Sequence, residues 1–371
     1  MFLPTLPSIA AAFGAPVAAT QLTLTTFFLG IAIGQLAWGP LSDRYGRKPV
    51  LLAGLGLGLA AAFAGLAASS VHEVVLVRLV QGLGFSSGPV VARAMVRDLY
   101  SHDLATRLLS RMTMVFSVVP ITAPLLGAGI VALWGWQAVF WVFGGLTVVV
   151  IAACAGLEET APAERRSIHP LRILATFGEI LGERRFLAPF AVLLCIQVGI
   201  LSFVSGSAFT LIRGFGVPAA TYGALFATVM LGQIAGSWFS SRLVLRVGMG
   251  GMLRIGTGLA LLGGFAAALA AWSGATHWAS VVAPFMLYMF ASALTMPSAQ
   301  AAALTPFPRT AGAVSSLLGA AAFALGATIS AALGAAFDGT ARPMASVAAL
   351  GGLGAFLFER WLARPVLQWK T

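Results

Sequence analysis

Charged residues with a fixed spacing mark the polar segment between the first two long apolar runs. This segment, Gly39–Pro49, reads Gly-Pro-Leu-Ser-Asp-Arg-Tyr-Gly-Arg-Lys-Pro. Gly39 and the proline after it are predicted to end one helix, and Gly46 to permit a sharp reversal of the chain. The carboxylate of Asp43 can accept hydrogen bonds from amides at a helix N-terminus, where negative charge is favoured. The expected chemistry is ion pairing that fixes helix ends; a basic loop that only sets membrane topology is the alternative.

A polar pair lies inside an apolar run. Arg78 and Gln81 are three residues apart in the run Val74–Met95, so they share one face of a helix. An arginine within a membrane costs at least about 2.5 kcal/mol unless it faces water or a partner. The pair is therefore predicted to line a polar pathway. The alternative is a side chain that reaches out to the membrane surface, which is the interpretation favoured for Arg93.

Few other side chains are candidates for the lining of such a pathway. They are the amides Gln35, Gln197 and Gln233 and the aromatic residue Phe203. Amides and aromatic rings suit hydrophobic or weakly polar small molecules, although glutamines can also bond helices together. Pro120, Pro124 and Gly127 are expected to bend a helix and admit a close neighbour; ordinary glycine-rich packing is the alternative.

The elements that hold these residues are predicted to be membrane-spanning helices. Of the 371 residues, 59% are hydrophobic and 9% charged, with a mean hydropathy of +0.94. A soluble domain is about 25% charged, so a soluble enzyme and a disordered protein are excluded. The histidines are scattered and the basic residues lie in short loops, so no metal, no cofactor and no nucleic-acid partner are expected.

Apolar runs of about 20 residues, long enough to cross a bilayer, number about eleven. A shorter apolar segment before these runs, Met1–Phe13, would reach only about 20 Å and is predicted to be the end of a truncated span. About 18 of the 22 lysines and arginines fall in alternate loops. This bias places the Asp43 loop, the segment Glu158–Phe186 and the C-terminus in the cytoplasm.

An internal repeat predicts two bundles of six helices. Gly34-Gln35-Leu36-Ala37 recurs as Gly232-Gln233-Ile234-Ala235. The predicted units are an N-terminal bundle at 1–157 with helix 1 incomplete, a cytoplasmic linker at 158–186, and a C-terminal bundle at 187–371. Parallel repeats of this kind are typical of secondary transporters, which bind their substrate between the halves.

The motifs resemble those of the major facilitator superfamily. Its signature G-x-L-x-D-R-x-G-R-K is met at every fixed position from Gly39 to Lys48. The resemblance implies a gating latch for the outward-open state, formed by Gly39, Asp43, Arg44, Gly46, Arg47 and Lys48. It also implies Asp98 as the partner of Arg47. Arg78-x-x-Gln81-Gly82 is similar to a motif whose arginine is linked to proton coupling, and the stretch Pro120–Gly129 to a motif of antiporters.

Longer segments resemble the Bcr/CflA-type drug-resistance transporters. They are Leu3–Pro7, Val91–Tyr100, Trp134–Phe140 and Ala303–Leu318. The resemblance implies a monomeric, multi-pass protein of the bacterial inner membrane that exports drugs or small amphipathic metabolites in exchange for protons. An importer or uniporter and an inactive, truncated transporter are the alternatives.

One departure concerns proton coupling. The family usually carries an acidic residue just before the Leu-Pro-x-Leu-Pro stretch, a position that here would precede Met1. Three possibilities are open: the acid lies in upstream sequence, Glu73 carries the proton, or transport is not coupled to protons.

Overall fold

The computed structural model describes residues 1–100, 102–161, 170–307 and 310–363, and all regular structure in these ranges is helical. The helices are α1 (Thr5–Ala12), α2 (Val17–Tyr45), α3 (Arg47–Leu66), α4 (Val71–Phe85), α5 (Ser87–Leu99), α6 (His102–Trp134), α7 (Gln137–Ala155), α8 (Pro170–Gly182), α9 (Arg184–Ala208), α10 (Ala219–Trp272), α11 (Ala279–Leu304), α12 (Ala311–Ala336) and α13 (Arg342–Phe358). Helix α9 continues as a π-helical turn over Phe209–Gly214, and α13 as another over Glu359–Ala363.

The prediction of an all-α membrane protein is confirmed. Among the described residues, eight helical segments are long and apolar enough to cross a membrane. One of them is the 54-residue element α10, for which the sequence predicts two spans. The count of eleven or twelve spans stays a prediction.

The chain forms two compact units. The first contains Met1–Pro170 together with Gly319–Thr328, and the second contains Leu171–Leu318 together with Ile329–Thr371. The sequence-based boundaries at 157 and 187 stay a prediction. Within the segment expected to be a linker, α8 is a helix whose Phe177 and Ile180 pack with Phe186 in the core of the second unit.

Glycines with positive φ reverse the chain in both units. Helix α2 continues through Pro40 to Tyr45, so the prediction that Gly39 and Pro40 end this helix is wrong. A proline removes only one backbone donor, and this helix tolerates it. The reversal occurs at Gly46, with a φ of 104°. Gly248, with a φ of 68°, divides α10 into two helices in the same way.

The predicted span Val74–Met95 lies within one helical segment of spanning length, Val71–Leu99, in which the regular α-helix is interrupted at Ser86 between α4 and α5. The carbonyl of Leu83 accepts from the Ser86 hydroxyl and from the indole of Trp38, each at 2.7 Å. Two side chains thus bond one backbone carbonyl at this interruption.

An apolar cluster fixes the helices that carry the Gly39–Pro49 loop. Val50, Leu51 and Leu55 of α3 pack with Val91 and Met95 of α5. Trp38 and Leu41 of α2 and Ile151 and Cys154 of α7 pack against this cluster. The ends of four helices are thereby held together where the charged residues of the loop lie.

Candidate functional site

Arg47 is the centre of a polar cluster in the first unit. Its Nε donates to Asp98 Oδ2 at 2.8 Å, and its Nη1 donates to Asp43 Oδ1 at 2.5 Å and to Ser42 Oγ at 2.7 Å. The side chains of Arg47 and Asp98 are 9% and 17% exposed. We call Ser42, Asp43, Arg47 and Asp98 the Arg47 cluster. One guanidinium thus joins the ends of α2, α3 and α5.

Glu159, which sequence reasoning missed, binds the start of α3. Its Oε1 accepts from the Arg47 amide at 2.8 Å, and its Oε2 accepts from the Lys48 amide at 3.3 Å. Partial burial raises the pKa of the Glu159 carboxyl, but hydrogen bonds from four backbone amides, that of Ala161 first among them, hold it below its ordinary value of 4.5. The expectation that Asp43 accepts from a helix N-terminus is therefore wrong, since Glu159 occupies that place.

The other residues of the loop have separate positions. Gly39 lies inside α2. The Arg44 side chain is exposed, with its guanidinium 5.3 Å from the centre of the Tyr45 ring. Lys48 contributes its backbone amide to Glu159. The structure thus brings Asp43, Arg47 and Asp98 together and places Gly39 and Arg44 outside that contact.

Arg78 and Gln81 form a buried pair on α4. Arg78 Nη1 donates to Gln81 Oε1 at 2.6 Å, and the two residues are 2% and 0% exposed. The guanidinium lies between two rings, 3.9 Å from the centre of Phe2 and 3.8 Å from that of Phe27. Each cation–π contact contributes about 0.5–2 kcal/mol, which offsets part of the cost of burying the charge.

Two polar atoms of this pair are buried without a hydrogen-bond partner in the described part of the chain. They are Arg78 Nε and Gln81 Nε2, both of them donors. A buried donor without an acceptor costs about 1–3 kcal/mol. The pair can therefore donate hydrogen bonds to a further acceptor, such as a carbonyl oxygen, a carboxylate oxygen or a water molecule.

Close packing of α2 on α4 places Arg78 beside Phe27. A Cβ atom added at Gly82 would collide with the carbonyl oxygen of Phe27, and one added at Gly30 with that of Leu79. Glycine at both positions lets the two backbones touch. Gly82 is the residue that directly follows Gln81, so the same contact orients the buried pair.

Glu73 has a local structural role at the start of α4. Its carboxylate accepts from the Ser69 amide at 2.8 Å and from the Ser69 hydroxyl at 2.9 Å. The Ser70 hydroxyl in turn accepts from the Glu73 amide at 3.3 Å. The arrangement resembles a capping box, except that the Glu73 carboxylate bonds the amide one residue before the N-cap, Ser70. It accounts for Glu73 without assigning it a transported proton.

The remaining pathway candidates lie on α2, α9 and α10. Gln35 is buried on α2. In the second unit, Gln197 on α9 and Gln233 on α10 are half-buried, and the amide oxygen of Gln197 has no hydrogen-bond partner among the described residues. Phe203 is fully buried, with ring centres 5.2 Å from Phe226 and 4.9 Å from Phe285. The structure gives Phe203 a packing position among aromatic rings of the second unit.

The proline-rich stretch lies within α6. Pro120 and Pro124 are both inside this helix, which continues across them. Gly127 is buried, and a Cβ atom there would collide with the backbone of Met1. The close neighbour that the glycine admits is therefore the first residue of the chain.

Comparisons with known proteins agree with this architecture. The sequence model described as the Major Facilitator Superfamily matches residues 1–331. A bicyclomycin resistance protein homolog of Haemophilus influenzae is 31% identical over 93% of this chain and 87% of its own length. A chloramphenicol resistance protein of Pseudomonas aeruginosa is 33% identical over 85% and 75%. Multidrug resistance protein D of Escherichia coli is 26% identical over 86% and 80%.

Solved structures share the fold. A D-xylose–proton symporter superposes with a TM-score of 0.77 at 16% identity, covering 97% of this chain and 93% of the other. The xylose transporter XylE from E. coli, in a partially occluded inward-open conformation, gives a TM-score of 0.71 at 15% identity with the same coverage. At these identities the likeness concerns the fold alone.

Proposed function

Because the chain belongs to the major facilitator superfamily, we propose that it is a secondary active transporter that exports drugs or small amphipathic metabolites in exchange for protons. The observation that carries this proposal is the similarity, over most of the chain, to proteins named for resistance to bicyclomycin and chloramphenicol. The family consists of transporters rather than enzymes. We place the protein in the bacterial inner membrane, as a monomer with its C-terminus in the cytoplasm.

The Arg78–Gln81 pair is the proposed polar part of the pathway in the first unit. Arginine stays protonated at any physiological pH, so Arg78 acts through a fixed charge and does not itself release the transported proton. Arg78 Nε and Gln81 Nε2, which have no partner among the described residues, can donate to an acceptor oxygen of a substrate. The ring of Phe27 beside the guanidinium offers apolar contact to an amphipathic molecule.

Gln35, Gln197 and Gln233 are the further polar residues of the proposed pathway. Alternating access requires the two units to change their arrangement, and the Arg47 cluster is the proposed latch for one of the states. Its bonds join α2, α3 and α5 within the first unit. A local cluster of this kind can hold three helix ends as one rigid body while that unit moves.

Drug accumulation in cells tests the proposal. The chain is produced in a bacterial strain that lacks its own drug exporters, and uptake of labelled chloramphenicol is followed over time. We expect lower accumulation than in cells with an empty vector, and a return to the vector level when an uncoupler collapses the proton gradient. Higher accumulation than in vector cells would indicate import. Low accumulation that persists with the uncoupler would refute proton coupling.

A further inference from the structure

The carboxylate of Glu159, a residue that follows α7, caps the start of α3. Helix α3 begins at Arg47, and the residue before it, Gly46, has no side chain that could accept from the first amides. Glu159 supplies both acceptors: Oε1 for the Arg47 amide and Oε2 for the Lys48 amide. The cap therefore reaches α3 from a residue 112 positions further along the chain.

The Glu159 side chain is held by its own backbone as well. Oε1 also accepts from the amides of Thr160 and Ala161, each at 2.9 Å. One carboxylate thus binds two amides of α3 and two amides that follow Glu159. Two of its four donors, the Thr160 and Ala161 amides, are independent of α3 and orient the carboxylate toward it.

Gly46 is required by this contact. A Cβ atom at Gly46 would collide with the carboxylate of Glu159. The φ of 104° at the same residue also favours glycine. The glycine of the loop thus serves two purposes, since it reverses the chain and leaves room for the capping carboxylate.

A related contact recurs in the second unit. Glu359 directly follows α13, the last helix of that unit, and its side chain is 4% exposed. Its Oε1 lies 3.8 Å from Nε of Arg254, in the helix that follows the reversal at Gly248. In each unit, an acidic residue beyond the α-helical end of α7 or α13 contacts a helix that begins after a glycine reversal, through backbone amides in the first unit and through an arginine side chain in the second.

We propose that Glu159 is a positioning residue of the Arg47 cluster. By binding the Arg47 amide it fixes the backbone from which the guanidinium reaches Asp43 and Asp98 at once. It also ties the chain that follows α7 to the same cluster. The contact itself is independent of the proposed function, whereas its consequence for drug export rests on that function.

Hydrogen exchange in the purified full-length protein tests the contact without transport. Loss of a helix cap weakens the local structure by a factor of roughly two to thirty. We expect the Arg47 and Lys48 amides to exchange faster by that factor in Glu159→Ala. Glu159→Gln keeps one acceptor oxygen and should give an intermediate rate. The matched control is Glu158→Ala, at the exposed neighbour, which should exchange like the wild type.

Either of two exchange results overturns the proposal: unchanged exchange in both Glu159 variants, or equal acceleration in Glu158→Ala. Efflux rates of Glu159→Ala, Arg47→Ala and the double variant then test whether Glu159 acts through Arg47. We expect the double variant to export no more slowly than Arg47→Ala alone, and independent, multiplying losses would refute positioning through Arg47. Absence of efflux by the wild type would refute the proposed function, and the exchange result would still decide on Glu159.

Discussion

Replacing Arg47 by lysine separates charge from geometry in the Arg47 cluster. The guanidinium donates from two nitrogens to two carboxylates: Nε donates to Asp98 at 2.8 Å, and Nη1 donates to Asp43 at 2.5 Å. A lysine ammonium is a single point of charge on a flexible stem. It can keep one carboxylate, and it cannot hold both in the observed arrangement.

The expected cost follows from the exposure of the partners. A hydrogen bond to a charged group contributes about 1.5–3 kcal/mol. The Asp43 side chain is 41% exposed, so solvent weakens its ion pair with Arg47. We therefore expect Arg47→Lys to lose about 1–2 kcal/mol of stabilisation. The ratio of molecules with the Arg47 cluster formed to molecules with it broken should therefore fall by a factor of roughly five to thirty.

The assay is hydrogen exchange of residues 41–48 in the purified protein, accompanied by drug efflux from cells. In Arg47→Lys we expect faster exchange by that factor and slower efflux. Arg97→Lys is the matched control, because Arg97 is exposed and directly precedes Asp98. Wild-type exchange in Arg47→Lys would refute the reasoning. An equal change in Arg97→Lys would show that the effect does not depend on the contact of Arg47 with two carboxylates.

Three further perturbations test other parts of the structure. Gly82→Val should force α4 away from α2 and lower the melting temperature of the detergent-solubilised protein, whereas Gly88→Ala, which has open space around it, should melt like the wild type. Arg78→Ala should abolish energised efflux at normal protein level and Arg93→Ala should retain it, as measured with labelled chloramphenicol. The folded-state pKa of Glu159 is depressed, so its stabilisation is present above its ordinary pKa of 4.5 and is lost as the pH falls through the lower folded value. The difference in melting temperature between the wild type and Glu159→Gln should therefore be constant at neutral pH and shrink below about pH 4.

Much of the architecture could be predicted because apolar runs of spanning length leave few alternatives to membrane helices. The contact between Arg47 and Asp98 could also be expected, although 51 residues separate them, since the motif resemblance named both. Helix ends were harder to predict. A proline at 40 suggested a stop, yet α2 continues to Tyr45, because one missing donor does not outweigh the packing of Trp38 and Leu41 against the core.

Other features left little signal in the sequence. Glu159 is one exposed acid after an apolar run, and nothing in its spacing points to an amide 112 residues away. A clue existed at Gly46, because a helix that starts after glycine needs its cap from elsewhere. The place of Phe203 depends on the rotation of α9 about its axis, which a uniformly apolar helix does not reveal.

The proposed exchange of drug for protons is tested most directly by internal pH in everted membrane vesicles. Vesicles with the inserted protein are energised until their interior is acidic, and chloramphenicol is then added. We predict alkalinisation of the interior, because each drug molecule that enters drives protons out. Vesicles with Arg78→Ala should give no response, and those with Arg93→Ala should respond like the wild type. An unchanged internal pH in wild-type vesicles that carry chloramphenicol inward would contradict proton antiport.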